Sequence, residues 1–343
     1  MHRKEKNSNG AVRLIGLSPL HIATILLFSI CISSDADDLA TLLVSPNYKT
    51  RRQAEEKLLG LGHEALPICL RMAGDNNLAS KFCAARVLRK LVSNGLGHQE
   101  ITALKKSTFP ELRSIYYSVL PDSKEGIKEL LSGAQATQRE IRLASLNRLI
   151  ELKAPFNPQP LLTMLEGLAP DDPHRARILS ALIQATPSPE WKTVAKNLTD
   201  PNAETVVAAA HVLGRWKAHG SAKKLYSTAI ASSRDRIRHA SFSALAAIGD
   251  EGKALILKDC TSQQGNVREQ AGLALGFFPG THSQLLGMLK NDPYERVAQA
   301  ASISLGRLYN KDQPQYFFPY DASSADRARV VEAWKQFITK TKD

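Results

Sequence analysis

One short stretch of the chain has the spacing of a nucleotide-binding loop. Residues 60–65 read GLGHEA and fit the pattern G-x-G-x-x-A. In a dinucleotide-binding fold these glycines stand between a strand and a helix, because the N-terminus of that helix holds the pyrophosphate. Here a helical pattern comes before the glycines. The stretch therefore predicts a turn between two helices and no bound cofactor.

Thiol and imidazole side chains, the usual ligands of zinc, are spread along the chain. Cys69, Cys83 and Cys260 show no C-x-x-C spacing, so the common zinc and haem-attachment motifs are missing. Cys69 and Cys83 fall on successive predicted helices, and both two buried free thiols and one disulfide fit that pattern. The most closely spaced histidines are His211, His219 and His239. Predicted helix ends separate them, so we predict no metal site.

Catalytic motifs are also missing from the sequence. It contains no serine elbow, no H-E-x-x-H and no phosphate loop. We therefore predict no catalytic residue, no cofactor-binding residue and no cofactor, and we expect that the chain is not an enzyme.

The N-terminus has the pattern of an export segment. Four basic residues within 1–13 precede an apolar run at 14–32, and small and acidic residues follow it. This order is typical of a secretory signal peptide within 1–36, cut after Ala36. The run of 19 residues is also close to the ~20 that span a bilayer, so an uncleaved membrane anchor is an alternative, and a cytosolic protein is a third. The signal peptide and the anchor both predict an exported protein, either periplasmic or extracytoplasmic, or anchored to the membrane by 14–32.

The rest of the chain repeats one helical pattern. A β-branched or hydroxyl residue is followed four residues later by Ala or Ser and after four more by Leu, which makes one stripe of a helix. The clearest triplets are Thr50/Ala54/Leu58, Ser80/Ala84/Leu88, Ile141/Ser145/Leu149, Thr205/Ala209/Leu213, Ile237/Ser241/Leu245, Val267/Ala271/Leu275 and Val297/Ala301/Leu305. Weaker copies near Val119 and Leu182 complete a series of nine, with steps of 30 to 33 residues.

A second apolar stretch lies between the stripes, as at 65–74, 222–232, 253–262 and 283–292. Each repeat is therefore two short helices, which bury their apolar faces by stacking on neighbouring repeats. This predicts an all-α chain, with a right-handed α-solenoid of about nine two-helix repeats, roughly 30 residues each, over 37–312. We expect the small residue of each stripe at a helix crossing. We expect Gly214, Gly249, Gly276 and Gly306 to end helices in the left-handed conformation.

The repeats resemble HEAT repeats, and more closely the short HEAT-like variety named from phycobilisome lyases, with the pattern D-P-x-x-x-V-R-x-x-A-x-x-A-L-G. The residues that carry it best are Asn266, Val267, Arg268, Ala271, Leu275 and Gly276. The last repeat departs from it, with Ala298 in the arginine position. The resemblance covers about 38–310 and implies the fold. It does not imply one function, because such arrays include scaffolds, adaptors and a few enzymes.

Basic residues outnumber acidic ones by 45 to 33, and the net charge is +12. Many lie on or beside second helices, which usually line the inner curve of such arrays. They are Arg51, Arg52, Arg86, Arg89, Lys90, Arg139, Arg142, Arg148, Arg215, Lys217, Arg236, Arg238 and Arg268. Either these side chains pair with acids or face solvent, or they form a cationic surface for an anionic partner.

The C-terminal segment, 313–343, breaks the repeat. An aromatic, proline-containing strip at 313–321 predicts ordered extended chain, and a helix follows at 325–340. Ser323 and Asp326 have the spacing of a capping box. The apolar face of the helix consists of Val330, Trp334, Phe337 and Ile338. We expect a cap over the last repeat; a helix that docks a partner is the alternative.

These observations lead to one main hypothesis on function. It is an exported or membrane-anchored, non-catalytic scaffold that binds a protein or peptide along its concave face. The alternative is a nucleic-acid-binding protein, similar to HEAT-like DNA glycosylases, with a basic concave surface. We do not expect nucleic acid as the partner, because export takes the chain away from the genome. Membrane contact is expected only through the N-terminal segment. A bilin lyase-like protein is a third hypothesis, drawn from the repeat type alone.

Overall fold

The computed structural model describes residues 38–75, 77–91, 98–311, 314–318 and 323–341. The predicted signal peptide or anchor at 14–32 lies outside these residues. Within them the regular structure is helical and there is no strand, which confirms the all-α prediction. None of the helices in these ranges is long and apolar enough to cross a membrane. The chain divides into two compact units, Met1–Val119 and Leu120–Asp343.

Within its described residues the first unit contains five α-helices, after a short helical stretch at 38–43. They are α1 (Tyr48–Leu61), α2 (Leu66–Gly74), α3 (Leu78–Leu91), α4 (His98–Lys106) and α5 (Pro110–Ser118). Helix α3 packs against both α1 and α5, and α2 packs against α4. The odd-numbered helices therefore form one layer of this unit and the even-numbered helices form the other.

The second unit continues the same alternation. Its helices are α6 (Lys124–Ala134), α7 (Arg139–Glu151), α8 (Gln159–Gly167), α9 (Arg175–Leu182), α10 (Trp191–Ala195), α11 (Ala203–Arg215), α12 (Ala222–Ala231), α13 (Asp235–Ile248), α14 (Asp250–Asp259), α15 (Gly265–Leu275), α16 (His282–Asn291), α17 (Glu295–Tyr309) and α18 (Ser324–Lys340). Each odd-numbered helix from α7 to α17 packs against the next odd-numbered one. Even-numbered helices such as α12 and α14 form the second layer.

The triplets read from the sequence lie in the buried part of the structure. Every member of the seven clear triplets is buried except Thr50, which is half-buried. Leu182, in a weak copy, is fully buried at the end of α9. Val119 follows the end of α5 and is half-buried, whereas the neighbouring Leu120 is buried. The stacked helix pairs confirm an α-solenoid of HEAT-like repeats.

The predicted role of the repeat glycines is wrong for three of the four positions. Gly249 has φ 99° and ends α13 as expected. Gly214 and Gly306 lie inside α11 and α17, and Gly276 has φ −62°. Gly214 and Gly276 stand where the next odd-numbered helix comes close, and Gly306 lies against Lys311 and Phe317. A Cβ on Gly214 would lie 2.8 Å from Cα of Ala244 on the next odd-numbered helix.

The C-terminal segment closes the second unit. Residues Pro314–Tyr316 form a turn of 3-10 helix and not the predicted extended chain. Ser323 and Asp326 form the predicted capping box at the start of α18. Helix α18 packs against α16, and the indole N–H of the fully buried Trp334 donates to the carbonyl oxygen of Tyr316 at 2.8 Å. The predicted capping helix is therefore present.

Candidate binding face

The arginine of the repeat motif stabilises the turn that precedes its helix. Arg268 donates from Nη1 to the carbonyl oxygen of Ser262 at 2.7 Å, and from Nε and Nη2 to the Asp292 carboxylate at 2.6 and 2.9 Å. Arg238 reaches the carbonyl oxygen of Ser232 at 2.6 Å in the same way. These arginines tie the preceding inter-helix turn to their own helix. The positively charged side chains of Arg268 and Arg238 therefore stabilise the fold.

Three further residues of the predicted cationic surface also donate hydrogen bonds within the fold. Arg51 donates to the carbonyl oxygens of Ser45 and Pro46. Arg148 donates to the carbonyl oxygen of Leu120 at 2.9 Å and to the Asp122 carboxylate at 2.7 Å. Arg89 donates to the Ser114 hydroxyl at 3.4 Å. Exposed members of the set include Arg139, Arg215 and Lys217.

Polar contacts join successive odd-numbered helices on the exposed side of the second unit. They are Arg177 to Asn147, Arg236 to Glu204, His239 to Gln270, Arg296 to Glu269, and Arg307 to the carbonyl oxygen of Leu273. We call these ten residues, with Phe277 and Ile303, the ladder face. Two of its four arginines have a carboxylate partner, and a third has an amide oxygen. The ladder face therefore carries mixed charge, with two of its four arginines neutralised by carboxylates.

An apolar patch interrupts these polar contacts. Phe277 follows α15 and is 56% exposed, and Ile303 on α17 is 44% exposed. The guanidinium carbon of Arg307, one helical turn after Ile303, lies 4.3 Å from the centre of the Phe277 ring. Aromatic and arginine side chains are the types that contribute most of the binding energy in protein interfaces. The ladder face therefore has the composition of a protein-binding surface.

His239 belongs to the ladder face, and His211 on α11 lies near it. Burial is the main cause that lowers the pKa of His211, and the nearby His239 and Arg236 lower it further. The imidazole of His211 is therefore neutral at pH 7. Burial likewise raises the pKa of the Glu269 carboxyl, and Arg296 opposes this shift. Among the described residues no group of three or more His, Cys, Asp or Glu side chains is placed to hold a metal ion.

The first unit has a charged groove between α1 and α3. The Glu55 carboxylate accepts from Nη2 of Arg86 at 2.9 Å and from Nζ of Lys90 at 2.6 Å. The space beside this cluster is about 390 Å³. It is lined by Tyr48, Arg51, Arg52, Glu55, Glu56, Leu59, Arg86 and Lys90. We call it the α1–α3 groove.

The sequence motifs that resemble chemical sites are structural. Helix α1 ends within the glycine motif at Leu61, and Gly62–Ala65 form a 3-10 turn before α2, as the inter-helix interpretation predicts. Cys69, Cys83 and Cys260 are free thiols, so of the two alternatives for Cys69 and Cys83 the structure has the unpaired one. Burial raises the pKa of the Cys69 thiol to about 12. Burial and the charge of Asp259 also raise the pKa of the Cys260 thiol to about 12.

These raised pKa values predict two unreactive thiols. The reactive form is the thiolate, and at pH 8 a thiol with a pKa of about 12 is ionised in only about one molecule in ten thousand. We expect iodoacetamide at pH 8 to leave Cys69 and Cys260 unmodified in the folded chain and to modify both in urea. Peptide mass spectrometry measures this. Modification of Cys69 at equal rates in the two conditions would contradict the burial.

No protein-family model and no curated protein matches the chain. Solved structures do match the chain. Human deoxyhypusine hydroxylase in complex with glycerol is 21% identical over 73% of this chain and 98% of its own, with a TM-score of 0.31. A mutant of Kap121p is 13% identical over 88% of this chain, with a TM-score of 0.47. The karyopherin Kap121p bound to the extreme C-terminus of the phosphatase Cdc14p is 14% identical over 82%, with a TM-score of 0.47.

The matches cover 40% and 38% of the two Kap121p chains, so this chain spans about two fifths of the karyopherin's length. All three structures are helical-repeat proteins of the HEAT or armadillo type. None of the three is a phycobilisome lyase.

One sequence-based expectation needs correction here. The missing catalytic motifs led us to expect that the chain is not an enzyme. The match to deoxyhypusine hydroxylase contradicts this expectation, because an enzyme is among the helical-repeat structures that the chain resembles. Fold alone does not fix function, and a repeat array without a familiar motif is compatible with catalysis. The absence of known motifs was too weak a reason for excluding it.

Proposed function

We propose that this chain is a helical-repeat scaffold that binds a protein or peptide partner along the ladder face. The observation that carries the proposal is the exposed Phe277 and Ile303 beside Arg307. Large apolar side chains that stay exposed next to an arginine gain free energy when a partner removes them from water. The polar pairs around them supply a rim whose hydrogen bonds fix the orientation of the partner.

The charge arrangement supports a protein partner over a nucleic acid. Proteins that bind DNA neutralise phosphates with lysine and arginine side chains, and these contacts dominate the affinity. On the ladder face, Arg236 and Arg296 are held by Glu204 and Glu269. Phosphate binding would have to break these pairs or compete with their carboxylates. The glycosylase-like alternative is therefore disfavoured at these two paired arginines, while Arg177 and Arg307 contact neutral oxygens.

The same proposal includes the location of the protein and the type of its repeats. We propose export or membrane anchoring through 14–32 on the sequence pattern of that segment. The short HEAT-like variety is proposed on the V-R and L-G pairs around Val267 and Leu275. Intact mass measurement of the protein from its native cells separates the two export modes. A chain that starts at Asp37 indicates cleavage, and one that retains 14–32 in the membrane fraction indicates an anchor.

Site-specific photo-crosslinking tests the binding face. We would replace Phe277 by benzoylphenylalanine, which keeps an aromatic ring at that position, and irradiate native envelope preparations. The matched control carries the same group at Lys223, an exposed position on the even-numbered helix α12. We expect one discrete protein adduct from position 277 and none from position 223. Equal labelling from both positions, or none from either, would count against the proposal.

A further inference from the structure

We propose that a groove between α14 and α16 binds an uncharged, extended peptide segment and seats one aliphatic side chain of that segment at Gly287. One side of the groove is the turn after α14, which includes Gln263, and the other is the side of α16 that carries Gln284, Gly287, Met288 and Asn291. We call it the α14–α16 groove. The inference rests on the proposed function, since it adds a second contact to a chain that binds a peptide partner. The groove and the ladder face share no residue.

Gly287 is a glycine inside a helix that packing does not explain. It lies in the middle of α16, where glycine lowers helix stability relative to alanine. At Gly214, Gly272 and Gly276 a Cβ would lie 2.8, 3.0 and 2.8 Å from a neighbouring residue. At Gly287 a Cβ would meet nothing within 4 Å beyond its chain neighbours and the backbone of its own helix. The missing side chain therefore leaves open space in the groove and makes no room for another helix.

The groove carries no net charge. Arg268 and Asp292 are the charged residues of its described lining, and their side chains are 13% and 7% exposed. They bond to each other at 2.6 and 2.9 Å, and Arg268 also donates to the carbonyl oxygens of Ser262 and Gln263. Both charges are therefore satisfied within the fold. A phosphate or carboxylate ligand would find no unpaired cation in the groove.

The polar and apolar parts of the lining together match a peptide. Gln263, Gln284 and Asn291 are exposed, and no hydrogen bond joins their side-chain amides to the part of the protein that the structure describes. A carboxamide both donates and accepts, which suits the N–H and C=O groups of an extended peptide. Met288, which is 7% exposed, and Gly287 add an apolar surface. Backbone hydrogen bonds combined with a pocket for a side chain are a common mode of peptide recognition, and the volume of about 480 Å³ has room for a few residues.

A peptide titration on the full-length chain tests the inference. The probe is a fluorescein-labelled peptide of twelve residues with four repeats of Ser-Leu-Gln. The comparison peptide has N-methylated leucines, which remove backbone donors and keep every side chain. We expect the probe to raise the fluorescence anisotropy in a saturable way. The N-methylated peptide should bind at least about tenfold more weakly, because each lost hydrogen bond weakens binding by about two- to tenfold.

Substitutions at Gly287 distinguish a ligand site from a structural glycine. Gly287→Leu places a side chain where we expect that of the peptide, and should weaken binding by at least about tenfold, the usual effect of losing one buried aliphatic side chain. Gly287→Ala should weaken binding by about twofold or more. The same variant should raise the folding equilibrium constant by about two- to fivefold, because alanine favours the helix and has room there. Urea unfolding measures the stability of both variants.

Gly60→Ala is the matched control. Gly60 is an exposed glycine within α1, and a Cβ there also meets nothing within 4 Å beyond its own helix. The control variant should gain stability by a similar factor, because the helical environment is the same in kind. Its affinity for the probe should stay within about twofold of that of the original chain. A gain in stability with a loss of binding is therefore expected at position 287 alone of the two.

Several results would overturn the inference. They are no saturable binding of the probe, undiminished binding by a folded Gly287→Leu variant, or a Gly287→Ala variant that is less stable than the original chain. If Gly287→Leu does not fold, equal affinities of Gly287→Ala and Gly60→Ala would overturn it. Displacement of the probe by maltoheptaose at a lower concentration than by unlabelled peptide would assign the amides to sugar hydroxyls instead.

Crosslinking from position 277 is independent of all these outcomes. An adduct there with no binding of the probe would remove this inference and leave the proposed scaffold function standing. Binding of the probe at the α14–α16 groove with no adduct from position 277 would remove the ladder face as the binding surface and leave the groove.

Discussion

Replacement of Trp334 by alanine is expected to lower the free energy of unfolding of the C-terminal repeats by about 3–5 kcal/mol, the usual loss when a large buried aromatic side chain is removed. The indole is fully buried in α18 and its N–H donates to the carbonyl oxygen of Tyr316. The rings of Tyr316 and Tyr309 lie 4.7 and 5.9 Å from it. The substitution removes these contacts and leaves a cavity under the cap.

The loss should be local, because each repeat of such an array is supported chiefly by its neighbours. Hydrogen exchange is therefore the measurement to use. In the Trp334→Ala variant, amides of α16 and α17 should exchange much faster, while those of α11 and α13 keep their protection. Lys335→Ala, at the exposed neighbouring position, is the control and should change stability by less than about 0.5 kcal/mol. Uniformly faster exchange along the whole second unit would contradict a nearest-neighbour array.

The second large effect is expected at the Arg268 pair. The Arg268 side chain is 13% exposed and that of Asp292 is 7% exposed, so Arg268→Ala leaves a carboxylate buried without its cation. Breaking such a pair costs about 3 kcal/mol or more. The carbonyl oxygens of Ser262 and Gln263 lose their donor as well. Urea unfolding followed by circular dichroism measures the change.

Arg236→Ala is the matched control for this prediction. Arg236 is also an arginine paired with a carboxylate, but the side chains of Arg236 and Glu204 are 67% and 55% exposed, and exposed pairs contribute less than about 1 kcal/mol. The double variant Arg268→Ala/Asp292→Ala should lose less than the sum of the two single variants, because it leaves no buried charge without a partner. Equal losses of stability for Arg268→Ala and Arg236→Ala would contradict a larger contribution of the buried Arg268–Asp292 pair.

Much of this fold is readable from the sequence, because its packing is local and periodic. A stripe such as Thr205, Ala209 and Leu213 predicts both a helix and its buried side, and the structure confirms both. The capping box of Ser323 and Asp326 is equally local, since it lies within one helical turn. Periodicity of this kind needs no knowledge of which residues meet across the molecule.

Features that depend on distant contacts were harder to predict. The glycine of the L-G pair looks like a helix end, yet Gly214 is needed because Ala244, thirty residues away, passes close to it. The ladder face was missed for the same reason: Arg236 and Glu204 are far apart in sequence and meet only because α11 and α13 stack. A signal was present in the steps of about 30 residues, which place equivalent positions side by side.

The most direct test of the account is a hydrogen-exchange comparison of the full chain with and without the partner recovered by crosslinking. We expect the partner to slow amide exchange at the end of α15 and in the second half of α17, around Phe277 and Ile303, while the even-numbered helices α12 and α14 exchange as before. Protection confined to α12 and α14, or unchanged exchange throughout the second unit, would contradict a binding face on the odd-numbered helices.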